Sequence, residues 1–125
     1  QVLRQGYVAA RNNSIVAPSV AVNPQGRGAI AFTLVGPDYF PSAAFVPFDV
    51  FTTGPAIQVS HPGVAPEDGF TGYPGGFFPG IARWGDYSTA VATSSGAVLM
   101  VTEYIPNAPR SQVANWGTFI ARYVP

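Results

Sequence analysis

The chain has 125 residues, the size of one domain or a piece of one, and its six Arg and six acidic residues cancel to a net charge of zero. Only 10% of residues are charged while 47% are hydrophobic. That balance excludes a disordered polyelectrolyte and leaves too few cations to neutralise a row of nucleic-acid phosphates.

Eight short apolar segments, each bounded by turn residues, predict an all-β chain. They run from Gly6 to Ala10, Ile15 to Val22, Ala29 to Val35, Ser42 to Phe48, Ala56 to Ser60, Tyr87 to Ala92, Ala97 to Tyr104 and Gly117 to Val124. Gly and Pro, at 14 and 13 residues, punctuate the chain too densely for a helical bundle. Ala29-Ile30-Ala31-Phe32 and Val98-Leu99-Met100-Val101 are apolar on both faces, the pattern of a strand covered on both sides. Asn23-Pro24-Gln25-Gly26-Arg27-Gly28 and Thr93-Ser94-Ser95-Gly96 read as hairpin connections with a glycine near the end.

Around these two turns the sequence repeats itself. Ser19-Val20-Ala21-Val22 aligns with Ser88-Thr89-Ala90-Val91, and Gly28-Ala29-Ile30-Ala31-Phe32 with Gly96-Ala97-Val98-Leu99-Met100. The offset is 69 residues before the turn and 68 after it. Strand-turn-strand units repeating at this spacing suggest blades of a β-propeller; the plainer reading is that any two hairpins look alike. Pro62 to Gly80 is the longest stretch without strand character, with Phe70, Tyr73, Phe77 and Phe78 set among glycines. A loop of that length is either functional or a cap on the core.

Several chemistries are excluded. Without Cys there is no disulfide and no thiolate metal site, and with His61 as the single His there is no His-pair zinc site within the chain. His61 precedes Pro62 at a strand end and reads as a solvent-edge residue, although any Ser-His-Asp triad would have to use it. No apolar run reaches the roughly 18 residues of a membrane-spanning helix. Lys is absent altogether, for which we find no physical reason. Gln1 in place of Met suggests processing or cleavage, and Asn12-Asn13-Ser14 fits the glycosylation acceptor pattern.

Arg83-Trp84-Gly85-Asp86-Tyr87-Ser88, Thr102-Glu103-Tyr104-Ile105 and Asn115-Trp116-Gly117-Thr118-Phe119-Ile120 are distinctive, as are Gly36-Pro37-Asp38-Tyr39-Phe40-Pro41-Ser42-Ala43 and Pro66-Glu67-Asp68-Gly69-Phe70-Thr71-Gly72-Tyr73. Over most of its length the chain resembles the C-terminal part of secreted bacterial proteins with a sialidase-like β-propeller. The resemblance implies four-stranded antiparallel blades, about two of a six-bladed ring. It implies an outer strand of a preceding blade and a first blade in 1–60, a Gly/Pro/aromatic loop in 61–83, and a second blade in 84–125. It also implies a secreted, extracellular or periplasmic location. The sialidase Asp-box turn, Ser-x-Asp-x-Gly-x-x-Trp, is reduced to Thr93-Ser94-Ser95-Gly96, without Asp or Trp, so the resemblance speaks for the fold rather than for sialidase activity.

The candidate chemistry centres on the second hairpin. A four-residue turn would set Asp86 opposite Glu103, and a two-residue turn would keep both carboxylates on one face; a three-residue turn would put them on opposite faces. Facing carboxylates repel, so Arg83, Arg110, a shared proton or a cation would have to relieve them. Asp86 and Glu103 with Tyr104 and Arg83 make a candidate glycosidic acid/base set; the alternative is an Arg83–Asp86 ion pair joining blade to blade. Trp84, Trp116, Tyr73 and Arg110 are candidate ligand contacts, the two tryptophans by stacking on sugar rings or else by plugging gaps between blades. Asp38 and Asp68 lie in loops and are candidates for a structural cation; no other cofactor is expected.

Two function classes follow. One is a non-catalytic propeller portion acting as a scaffold or as a glycan- or protein-binding surface. The other is part of a sialidase-type glycoside hydrolase with its active rim near Asp86 and Glu103. In either case two blades leave open sheet faces, so the expected partner is another polypeptide supplying the remaining blades, or copies of this chain.

Overall fold

A computed structural model of the chain describes residues 1–2, 5–50, 56–67, 84–85, 87–106 and 115–125. These residues form an all-β structure of two antiparallel sheets, with no helix among them. The first sheet is a four-stranded meander of β1 (Ser14–Val22), β2 (Arg27–Gly36), β3 (Tyr39–Asp49) and β4 (Gln58–His61). The second has three strands among the described residues, β5 (Thr89–Ala92), β6 (Val98–Tyr104) and β7 (Gly117–Tyr123). Seven of the eight expected strands are present. The exception is Gly6 to Ala10, expected as an outer strand of a preceding blade. It forms no strand, and its last residue makes an isolated bridge to Asn13. A strand needs a ladder of partners, and Gly6 to Ala9 have none in either sheet.

The two hairpins close in the same way. Asn23 N–H donates to Arg27 O at 2.7 Å and Gly26 N–H to Asn23 O at 2.9 Å; Thr93 N–H donates to Ala97 O at 2.8 Å and Gly96 N–H to Thr93 O at 3.0 Å. Gly26 and Gly96 both take left-handed φ, +78° and +83°, which glycine adopts without steric cost. Each is a three-residue loop ending in a bulge glycine. The geometric repeat is therefore 70 residues, one or two more than letter matching gives, because matching follows similar side chains while the turn fixes the backbone. In β1 the register shifts between Val16 and Ser19, where Ala17 takes a φ of 49°.

The core lies on both faces of the first sheet. Ala29, Ala31 and Phe45 pack on Val98 and Met100 of the second sheet, with Ala21, Ala90, Ala121 and Tyr123 around them. Phe32, Leu34, Ala44 and Val46 form a separate cluster on the opposite face with Ile15, Ile30 and Ile57. The prediction that Ala29 to Phe32 is covered on both sides holds. For Val98 to Val101 it does not: Val98 and Met100 are buried, but Leu99 is 40% exposed. Among the described residues the second sheet is covered on one face only.

The hairpin equivalence gives the sense of the stacking. Ala21 and Ala29 point to the second sheet, while their equivalents Val91 and Leu99 point away from the first. Ala90, Val98 and Met100 point to the first sheet, while their equivalents Val20, Gly28 and Ile30 lie on its far side. A face-to-face sandwich would oppose equivalent positions. Here the front of one unit meets the back of the next.

Candidate functional site

The end of β6 holds the two sheets together and carries the one candidate acid in the described part of the second hairpin. Thr33 Oγ1 donates to Glu103 O at 2.9 Å, and Trp84 Nε1 donates to the same hydroxyl at 3.4 Å. Ile105 N–H donates to Pro41 O and Val64 N–H donates to Ile105 O, each at 3.0 Å. Ile105 is fully buried, so these bonds are shielded from water. At the other end of the sheets, Asn23 joins the two turns. Its Nδ2 donates to Gly96 O at 3.0 Å, and its Oδ1 accepts from Gln25 N–H and Arg27 N–H, both at 3.0 Å.

The Glu103 carboxylate accepts a hydrogen bond from Gly85 N–H. A Cβ at position 85 would run into both carboxylate oxygens, so glycine is what lets the backbone approach so closely. Burial raises the Glu103 pKa above its ordinary 4.5, and the Gly85 bond partly offsets that rise. Glycosidic catalysis by the common route needs two carboxyl groups, one with a raised pKa as the acid and the other ionised. The proposed second, Asp86, lies outside the described residues, as do Arg83, Arg110, Tyr73 and Asp68. The loop is the three-residue form, which pairs Thr89 with Val101 and Ala92 with Val98. That register runs toward position 87, not 86, as the counterpart of Glu103. Glu103 itself pairs with Thr118 of β7.

The remaining candidates fall in different places. Tyr104 belongs to a ring cluster with His61 and Phe119: His61 stacks on Phe119 at 4.7 Å between centroids and meets Tyr104 edge-on at 4.9 Å. His61 is at the solvent edge, as its place before Pro62 suggests. Trp84 is half-buried in the seam, tied to Thr33. Trp116 stays 44% exposed at the start of β7, open to a flat ring. Asp38 exchanges hydrogen bonds with Asn13, whose Nδ2 donates to Asp38 Oδ2 at 2.9 Å. Among the described residues no cluster of three or more His, Asp or Glu could hold a metal ion.

Sequence reasoning missed Asn23, Thr33 and Gly85. Asn23 carries a legible signal, since Asn ahead of Pro-x-Gly is a side-chain-capped turn. Thr33 sits in an apolar run with nothing to distinguish it from a packing residue.

No family model, curated protein or solved structure matches the chain. No helix in the described residues is long and apolar enough to cross a membrane.

Proposed function

We propose that the chain is a non-catalytic portion of a secreted, sialidase-like β-propeller, serving as a scaffold with a glycan- or protein-binding surface. The observation that supports this most directly is the front-to-back stacking of two sheets whose hairpins are offset by 70 residues. Units related in that way can be added at either end, as blades are around a ring, whereas a closed sandwich has no such ends. The further blades come from another polypeptide or from copies of this chain. Trp116, exposed where the sheets meet their loops, is the aromatic best suited to stack on a sugar.

A second reading, a sialidase-type hydrolase, is favoured by one observation, the raised pKa of Glu103 beside Gly85. A glycan array on the complete assembly, followed by a hydrolysis screen, separates the two. Binding without turnover supports the scaffold. Turnover that is lost in both Glu103→Gln and Asp86→Asn supports the hydrolase and overturns the first reading.

A further inference from the structure

We infer that the end of the β5–β7 sheet away from its hairpin turn binds a neutral pyranose sugar, stacked on Trp116 and Tyr87 and hydrogen-bonded to Glu103. The inference rests on the glycan-binding reading above and names the site and the class of sugar.

The register sets which side chains share a face. Val91 pairs with Leu99 and Thr89 with Val101; across β6, Leu99 pairs with Arg122, Val101 with Ile120 and Glu103 with Thr118. Side chains alternate along a strand, so these residues form three rows on the face turned away from the first sheet. Val91, Leu99 and Arg122 make the row nearest the hairpin turn, and Glu103 and Thr118 the row farthest from it. Carrying the alternation one step past the start of β5 brings Tyr87 opposite Glu103, and one step before Thr118 along β7 brings Trp116 beside it. Exposure follows the same alternation. Tyr87 is 84% exposed and Trp116 44%, while their neighbours Ser88 and Gly117 are half-buried.

The last row therefore sets two amphipathic rings beside a carboxylate and a hydroxyl. A pyranose presents C–H groups on one face and hydroxyls around its edge. The C–H face stacks on an indole or phenol ring, and the edge hydroxyls donate to a carboxylate. Glu103 accepts from Gly85 N–H, which fixes its side chain before a ligand arrives. A carboxylate has about four acceptor sites, so others remain for sugar hydroxyls. Thr118 is exposed and can both donate and accept. From Tyr87 to Thr118 is two strand spacings, about 10 Å, and from Thr118 to Trp116 about 7 Å. That is the footprint of one or two sugar rings.

The charge beside the aromatics decides the class of sugar. Arg122 is four residues along β7 from Thr118, about 13 Å between backbones. The nearer charge is Glu103, which repels the carboxylate of a sialic or uronic acid and leaves a neutral sugar favoured.

The test titrates the chain with cellohexaose, chitohexaose, mannohexaose and xylohexaose, and with sialyllactose and trigalacturonic acid, following tryptophan fluorescence and heat of binding. The expected result is saturable binding of at least one neutral probe, with a blue shift as Trp116 is covered. Trp116→Ala should weaken it about tenfold, and Tyr87→Ala and Glu103→Gln several-fold, with circular dichroism unchanged. Trp116→Phe should recover part of the loss, which a merely structural role would not predict, and Arg122→Gln should leave binding as it was. Binding of the anionic probes alone, loss of binding in Arg122→Gln but not in Trp116→Ala, or no binding of any neutral probe would each overturn the proposal. The glycan-surface reading fails separately, when the complete assembly binds no glycan; binding by the assembly that survives Trp116→Ala overturns this site and leaves that reading standing.

Discussion

Asn23 is the residue at which turn and seam are tested together. Asn23→Ala removes two hydrogen bonds that shape the first hairpin and one that ties it to Gly96 of the second. Asn23 is 8% exposed, so water does not readily replace them. At about 1 kcal/mol net per bond, with an added penalty for donors left unpaired, the loss is about 2–4 kcal/mol. Against a total stability of about 5–15 kcal/mol, this lowers the melting temperature by about 10 °C. Asn23→Asp separates the two roles. It keeps both acceptor bonds of the turn but replaces the donor to Gly96 with a carboxylate facing a carbonyl oxygen, and it should cost about 1–3 kcal/mol at neutral pH. That cost should shrink as the new carboxyl protonates. Asn23→Thr copies the second hairpin, where Thr93 Oγ1 bonds Ala97 O and Ser95 Oγ within its own turn, and should recover about 1 kcal/mol relative to Asn23→Ala. Urea denaturation at low protein concentration, with the slope unchanged, reads these differences free of any gain from self-association. If Asn23→Asp matches the parent at neutral pH, the bond to Gly96 carries no weight and the seam is held by packing alone.

Glu103 sets a pH dependence. Its folded pKa is raised above the ordinary 4.5, so its contribution is fully present below that value and is lost as pH rises through the folded pKa. Urea midpoints of the parent should fall across that window relative to those of Glu103→Gln, which keeps an acceptor for Gly85 N–H; parallel curves would contradict this. Ala17→Gly relieves a left-handed backbone that costs an L-residue about 1–2 kcal/mol, and after the added chain entropy of glycine it should stabilise by about 0.5 kcal/mol in the same assay. Thr33→Val, nearly isosteric, leaves Glu103 O and Trp84 Nε1 without their partner and should cost about 1–2 kcal/mol, with a change in Trp fluorescence. Gly28→Ala would force a Cβ into the backbone of Ala21 and Val22, with Val22 Cα at 2.8 Å, and should abolish soluble expression or cost more than about 3 kcal/mol.

The strands were legible because the signal that marks them is local. Ala29 to Val35 and Ser42 to Phe48 are apolar runs between turn residues, and β2 and β3 contain both. Gly26 and Gly96 mark the bulge positions by residue type alone. Gly6 to Ala10 misled because the same composition suits any extended segment, and only a partner edge turns one into a strand. The register of β5 on β6 was open for a related reason. Thr93-Ser94-Ser95-Gly96 admits several loop lengths, and one residue decides which face each side chain takes. The observed three-residue loop resolves it through the pair Ala92 and Val98.

The candidate site was legible as a set of residues and not as an arrangement. Glu103 was picked out for the charge opposite it, yet what alters its chemistry is burial and a glycine backbone, neither of which leaves a mark at the distance of a sequence motif. Trp84 and Trp116 look alike in sequence, each preceding a glycine, and they diverge in space: one is bound to Thr33 in the seam, the other is open to solvent. The most informative departure is Leu99. A strand apolar on both faces is a strand with two neighbours, and Val98 to Val101 has one. Among the described residues Val91, Leu99 and Ile120 are exposed together on that face. Val91 and Leu99 match Ala21 and Ala29, which pack against the second sheet, yet Arg122 lies exposed across from Leu99 on the same face, so any neighbour there would have to pair that charge.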